Sequence, residues 1–529
     1  MSRRNREQSG NIRWDSDGAA YFCGGEGCPW VPMSMHRSHR DRLCASLREE
    51  LKDRGVNSCS HAFIFLAGGS EQSMYDTDVE WDMFRQESNF QYLFGVKESG
   101  CLGFIRIEDG WSVLLVPRLA PVYATWMGPI KPPAWFHRAY GVDEVAFVDE
   151  ASEVLKRLYD SEAKSSSVAS QQLLIYKGTN RDSGLTLPAP SFEGLNSDMI
   201  NDDLSKVLYE QLGECRNIKS PEELKILQYV NDISSIAHIE VMRAIRGGQR
   251  ERLSETTFRY HASLRGCHRV GYTCICPTGT RNQVLHYGHP GEPNAELVES
   301  EALTLHDMGC EYHCYTADVT ITFPVGGKFT ADQKLVYEAV WAATEAVERS
   351  IKPGVCYKDM HRLAQRTLLT EMKAAGLFVG EVDDMMAIDL AGRFMPHGLG
   401  HCLGLDVHDV AGYAPGKNKS DDPSMRQNLR CGRDLIENMV ITVEPGFYFN
   451  DYLLAEMETK PEEMKFVNKE RLDELRPVGG VRIEDDVVIT ATGCRVLTCV
   501  PRAVEDIEAV MAGHDWVISQ ANCREYVAK

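Results

Sequence analysis

Five side chains able to hold cations stand in unusual settings along the C-terminal half of this 529-residue chain: Asp307, Asp318, His401, Glu444 and Glu484. Asp307 and Asp318 fall in ALTLHDMGCEYHCYTADVTITFP, Ala302–Pro324. It reads as two strands, Leu303–Met308 and Ala317–Phe323, joined by a short connection containing Gly309. A carboxylate in a strand bound for the core is costly unless something positive pairs with it. Two of them close together repel, so the pair calls for a cation. His401 lies in MPHGLGHCLG, where glycines permit close backbone approach. Glu444 ends the apolar run VITVEPG just before Pro-Gly, and Glu484 lies in GGVRIEDDVVIT, a strand by its Val and Ile residues. Singly, each has an ordinary account: a turn-forming or edge aspartate, a satisfied core histidine, a strand-end glutamate. Together, four carboxylates and one imidazole in apolar strands or Gly-rich turns point to a metal centre.

The elements that must position these groups follow an α/β (α+β) pattern. Residues 1–32 read as a flexible polar extension, 33–205 as an α/β domain and 206–529 as a catalytic domain, the boundary falling near Asn201–Asn217. In the first domain, a helix is expected over Arg37–Asp53 and a strand over Ala62–Ala67. Strands Gly103–Asp109 and Trp111–Pro117 turn at Asp109-Gly110. A strand at Val145–Val148, a helix at Glu150–Tyr159 and a strand at Gln172–Lys177 continue the alternation, with Ser-rich Ala163–Ser170 as an internal loop. Ser220-Pro221-Glu222-Glu223 is a well-formed helix start, followed by apolar residues at helical spacing until Gly247-Gly248. A helix from Ser254, strands at Tyr272–Cys276 and Gln283–Tyr287, a capped helix from Thr330 and a helix over Lys358–Ala375 come next. The last third reads as strands and loops, with Met395–Leu405, Val440–Phe449 and Val481–Thr490 as its strand-like stretches.

Composition narrows the function classes. The chain is 43% hydrophobic and 25% charged, as in ordinary globular proteins, and its length suits two or three domains. A formal charge of −20 disfavours nucleic acid and anionic membrane surfaces as partners and suits a holder of divalent cations. No apolar run is long enough to cross a bilayer. Seventeen cysteines, without a framework or a secretory leader, imply reduced thiols and a cytoplasmic location. Cys23 and Cys28, like Cys274 and Cys276, lack the second pair of a structural zinc site. G-x-G-x-x-G after a strand, the P-loop, G-x-S-x-G and H-E-x-x-H are all missing.

Asp307-x10-Asp318, His401, Glu444 in TVEPG and Glu484 in VRIEDDV resemble the five-ligand dimetal site of the pita-bread metallopeptidases. Within that family the wording is nearest the eukaryotic prolidase branch, through LHYGHPGEPN, GKFTADQKLVYEAV, His397–Tyr413 and LTCVPR. In the first domain the resemblance continues through FRQESNFQYLFGV and YATWMG. It implies a creatinase-like N-terminal domain, a pita-bread catalytic domain and hydrolysis of Xaa-Pro dipeptides by a hydroxide held between two divalent ions. The mostly hard donors favour Mn²⁺. By position Asp318 and Glu484 would bridge the ions, with Glu444 accepting the proton. His286, His408, Arg430 and Arg482 match positions that bind substrate or steady the intermediate. Arg430 would clamp the substrate carboxylate and His408 would donate to the developing oxyanion. Trp126, in YATWMG, would reach a partner subunit, implying a homodimer. Departures from the family's wording are His306 before Asp307, Pro277-Thr278, and Glu437-Asn438 where Pro-Gly is commoner. Two rivals remain: an aminopeptidase P acting on longer Xaa-Pro peptides, and a silent pita-bread binding module.

Overall fold

A computed structural model describes residues 11–55, 61–162, 172–180, 184–186, 188–288, 291, 293–417, 429–519 and 523–528. Ala163–Ser170, expected as a loop, lies outside them. The chain divides into two compact units, Met1–Arg216 and Asn217–Lys529.

The first unit is built on a five-stranded mixed sheet in the order Glu144–Phe147, Ser112–Val116, Leu102–Arg106, Ala62–Ala67 and Gln172–Ile175. Its three central strands are antiparallel and its two outer strands pair in parallel. Phe63, Phe65, Phe104, Val113 and Leu115 meet Val154, Leu155, Leu158 and Tyr159 of helix Ala151–Glu162 in one core. The hairpin turn forms where Asp109-Gly110 places it: Gly110 takes a φ of 77°, and Asp109 Oδ1 accepts from the Trp111 N–H at 3.1 Å. The expected N-terminal extension is a different matter. Ile12–Trp14, Ala20–Phe22 and Val31–Pro32 form a small antiparallel sheet with Ile12, Phe22, Val31, Cys23 and Cys28 buried. Strands of two or three residues are too short to show a period-two pattern, so composition alone masked them.

In the second unit, helix Pro221–Ala244 begins at the Ser220 capping box, with Glu223 N–H on Ser220 Oγ at 3.2 Å and Ser220 N–H on Glu223 Oε2 at 2.8 Å. Helix Ala331–Glu348 starts at the equivalent Thr330–Gln333 box and packs beside Tyr357–Ala374. The described helices include none long and apolar enough to cross a membrane.

The strand expectations hold unevenly. Leu303–Asp307 pairs antiparallel with Thr320–Pro324, so Asp318 stands two residues ahead of its strand rather than inside it. The connection is no short turn but a second hairpin, Cys310–Tyr312 with Tyr315–Thr316. Gly309 makes this possible, because a Cβ there would sit 1.7 Å from the Ala317 carbonyl oxygen. Tyr272–Cys276 makes one isolated bridge, Ile275 to Asp307; beyond it the Pro277 carbonyl accepts from Leu305 N–H at 3.1 Å and Thr278 bridges Thr304, but Pro277 has no N–H with which to complete a ladder. Gln283–Tyr287 follows a 3-10 turn over Gly279–Gln283 and is tied down by side chains, Gln283 to Asp451 and Tyr287 to Glu251. Met395–Leu405 is a loop bridged at Cys402 to Ile441. Three short helices, Asp451–Glu458, Pro461–Met464 and Lys469–Leu475, stand where strands and loops were expected. Asn450 and Asn468 cap two of them and were the legible signal. Asn438, in the place where Gly is commoner, takes a φ of 68°, which Asn tolerates better than most residues.

Candidate metal centre

A kink shared by two antiparallel ladders builds half of the site. Val440–Val443 pairs with Asp485–Ile489, and Gly446–Tyr448 pairs with Gly480–Arg482. Between the registers Val443↔Asp485 and Gly446↔Arg482 both strands break, and the residues left at the break include Glu444 and Glu484. Pro445 enforces the interruption because it cannot donate to the ladder. The Thr320 hydroxyl donates to Glu484 Oε2 at 2.7 Å, so the strand that follows Asp318 also orients Glu484.

His401 arrives on the loop that lies against Val440–Val443. Its N–H donates to Thr442 Oγ1 at 3.1 Å and its carbonyl accepts from Thr442 N–H at 2.9 Å. Gly400 permits this approach, since a Cβ would fall 2.2 Å from the Thr442 carbonyl oxygen. Nδ1 lies 3.0 Å from the Cys402 carbonyl, which can only accept, so Nδ1 carries the hydrogen and Nε2 faces the carboxylates. Nε2 is 3.4 Å from Asp318 Oδ2 and 3.5 Å from Glu444 Oε1. Asp318, His401 and Glu484 bring one donor atom each within 4.8 Å of one another.

The electrostatics are those of negative charge without enough positive charge. Burial, then Asp307, pushes the Asp318 carboxyl well above the usual carboxylate range. Burial, then Asp318 and Glu444, does the same to Glu484. Glu444 is pushed up to about 7 by burial, against the opposing pull of His401. Arg482 is the main buried counter-charge. Burial works against its ionised form, yet Tyr448 and Asp307 more than compensate and raise it well above its ordinary value. Its Nη2 donates to Asp307 Oδ2 at 2.6 Å, Nε to Thr320 Oγ1 at 3.1 Å and Nη1 to Tyr448 Oη at 2.9 Å.

Of the candidate site residues, all but Trp126 line one cavity of about 470 Å³: Asp307, Asp318, His401, Glu444, Glu484, His286, His408, Arg430 and Arg482. The His408 ring stands edge-on to His401 with centroids 4.5 Å apart. Trp126 belongs to the first unit, where it is 79% exposed. Sequence reasoning gave no role to Tyr272, His397 or Tyr448. Tyr448 O–H donates to His397 Nε2 at 3.0 Å, and His397 Nδ1 donates to the Gly398 carbonyl at 2.7 Å. Burial holds His397 neutral, its pKa lowered to about 3. The four-residue spacing of His397 and His401 was the available signal. His306, the departure beside Asp307, is buried on Phe323 and bonded to Thr304, and does not line the cavity.

The donor set fits divalent cations. Asp307 Oδ1 is buried with no hydrogen-bond partner, the other carboxylates repel one another, and His401 presents Nε2 to them. A buried cluster of this kind is destabilising until cations neutralise it.

Fold and site define a metal-dependent hydrolase of the peptidase class, and the chain belongs to metallopeptidase family M24, whose model matches residues 225–491. Residues 36–167 match the aminopeptidase P N-terminal domain. More particularly, the chain is 46% identical to the Xaa-Pro dipeptidase of Mus musculus, over 92% of this chain and 94% of that one. It is 45% identical to the Xaa-Pro dipeptidase of Homo sapiens, over 94% and 97% respectively. Among solved structures, the aminopeptidase PepP of Pseudomonas aeruginosa superposes with a TM-score of 0.67 at 27% identity, covering 91% of this chain and 98% of that one.

Proposed function

We propose that this metallopeptidase is an Xaa-Pro dipeptidase that releases free proline, and that it holds two divalent ions, Mn²⁺ by preference. The observation that carries the reading is one cavity holding both the carboxylate–histidine cluster and Arg430, in a chain so similar to Xaa-Pro dipeptidases. Asp307, Asp318, His401, Glu444 and Glu484 would hold the ions. Their four carboxylates match the charge of two divalent cations, and their hard oxygens suit Mn²⁺. Bound there, such ions polarise a carbonyl and make water nucleophilic near neutral pH.

The chain's own residues do the rest. Arg430 takes the substrate's C-terminal carboxylate in a bidentate grip, which fixes the length at two residues. His408 and His286 donate toward the scissile carbonyl oxygen. Glu444, at the ladder break beside His401, is placed to take and return a proton. Arg482 has its donors on Asp307, Thr320 and Tyr448, so we assign it to holding Asp307 rather than to gripping substrate. An Xaa-Pro bond lacks an N–H, so recognition falls to the ring and the carboxylate.

The likeness to PepP keeps aminopeptidase P activity as the second reading. Chelator-stripped protein assayed on Gly-Pro and Gly-Pro-Ala, with and without Mn²⁺, separates the two. Mn²⁺-dependent cleavage of the dipeptide alone is expected, whereas cleavage of the tripeptide would move the assignment. We further propose a cytoplasmic homodimer. Every described cysteine is a free thiol, and Trp126 shares an exposed apolar stretch with Val122, Tyr123 and Met127. Sedimentation should report a dimer that Trp126→Ala weakens.

A further inference from the structure

Behind the metal-binding strand lies a second cluster of ionisable groups that hydrolysis does not use: buried Glu348, Asp485 and Arg502, with Arg524 half-buried. Both arginines come from the C-terminal segment, beyond residue 491 where the family M24 match ends. That segment runs alongside the ligand strand, with Leu497 N–H on the Asp486 carbonyl at 2.8 Å and Asp486 N–H on Thr498 Oγ1 at 2.9 Å.

Arg502 is the member that reaches the metal centre's backbone. Its Nη1 donates to the Thr320 carbonyl at 2.8 Å, and its Nη2 donates to the carbonyl of Glu484 itself. Nε and Nη2 also hold Asp485 Oδ1, at 3.3 and 2.8 Å. The Thr320 carbonyl accepts a second bond from Glu484 N–H at 3.2 Å. One guanidinium thus staples Thr320 to Glu484, and the Thr320 hydroxyl orients the Glu484 carboxylate. Asp318 lies two residues upstream of Thr320, so the staple also sets where Asp318 meets Glu484. Arg524 does something different: it bonds the side chains of Asp485, at Oδ2 and 2.5 Å, and Glu348, at Oε2 and 2.8 Å.

We propose that Arg502 is a positioning residue for the metal centre, setting the spacing of the Asp318 and Glu484 segments from the rear through the Thr320 and Glu484 carbonyls. This rests on the reading of Asp318 and Glu484 as metal ligands. A planar fork is needed because three acceptors are served at once, and lysine supplies the charge without the fork. Ligand-orienting contacts of this kind are worth about 10–100-fold in metal affinity.

The test is Mn²⁺ binding to chelator-stripped full-length protein, by competition with a fluorescent chelator, with folding followed by circular dichroism and thermal melting. Arg502→Lys should fold and bind Mn²⁺ at least about tenfold more weakly. Arg524→Gln should melt earlier yet bind Mn²⁺ within about twofold of wild type, because it leaves the staple intact. Wild-type affinity in folded Arg502→Lys would overturn the proposal. So would equal weakening by Arg524→Gln, or an Arg502→Lys protein that does not fold while Arg524→Gln does, since each reduces Arg502 to general stability. A wild-type protein that takes up no Mn²⁺ would instead bring down the reading of Asp318 and Glu484 as Mn²⁺ ligands beneath it.

Discussion

Glu484 and Asp485 are neighbours in sequence and opposites in environment. Glu484 joins Asp307, Asp318 and Glu444 around Arg482 and His401, and burial with mutual repulsion drives it well above the usual carboxylate range. At Asp485 burial also pushes upward, but Arg502 and Arg524 outweigh it and hold the group below its ordinary value. Both side chains are buried, so burial does not separate site from scaffold. What separates them is whether the protein supplies the counter-charge. The rear cluster is closed by its own arginines, whereas the front cluster is short of positive charge.

The largest expected effect breaks the front. Glu484→Gln should lower kcat/KM on Gly-Pro by about 10³-fold or more, roughly 4 kcal/mol of transition-state stabilisation. The same change should raise the melting midpoint of the metal-free protein, because it removes a repelled buried carboxylate. Asp485→Asn should do the reverse to stability. It strands the buried Arg502 guanidinium and the half-buried one of Arg524, and denaturant titration should show a loss of about 3–5 kcal/mol.

Titration sharpens the contrast. Glu444 has a folded pKa of about 7 against an ordinary 4.5, so the folded protein holds that proton more tightly. Its contribution to stability is complete below about pH 4.5 and is lost as pH rises through about 7. The metal-free protein should therefore melt earlier at pH 8 than at pH 5, and the gain from added Mn²⁺ should grow over that range. Asp485, depressed below 3.8, contributes above that value and fails only as pH falls through its lowered pKa. The smallest effect is at Glu348, pushed up by burial to about 8. It keeps its proton at pH 7, so Glu348→Gln should cost no more than about 1 kcal/mol by denaturant titration. A loss as large as that of Asp485→Asn would show it to be charged.

Much of this was legible beforehand where the signal is local. Capping boxes at Ser220 and Thr330, the Asp109-Gly110 turn and the apolar strand Ala62–Ala67 are written in contiguous residues, and the structure follows them. The expectation failed where partners outside the stretch decide. Tyr272–Cys276 has strand-forming residues but only one bridged partner, and the short N-terminal strands exist because each completes another's hydrogen bonds.

The sequence by itself determined which groups are available: four carboxylates and an imidazole set among apolar residues and glycines, whose burial demands a cation. It also determined that Pro445 would interrupt a ladder beside Glu444. Only the tertiary structure decided that the breaks in two ladders coincide, that Arg482 spends its donors on Asp307, Thr320 and Tyr448, and that Arg502 reaches Thr320 and Glu484 from behind. Three of these contacts join residues 162 to 182 positions apart, and the others depend on which face of a strand a side chain takes. Composition and spacing carry no record of either. A charge's surroundings are fixed by the groups folded against it, not by those written next to it.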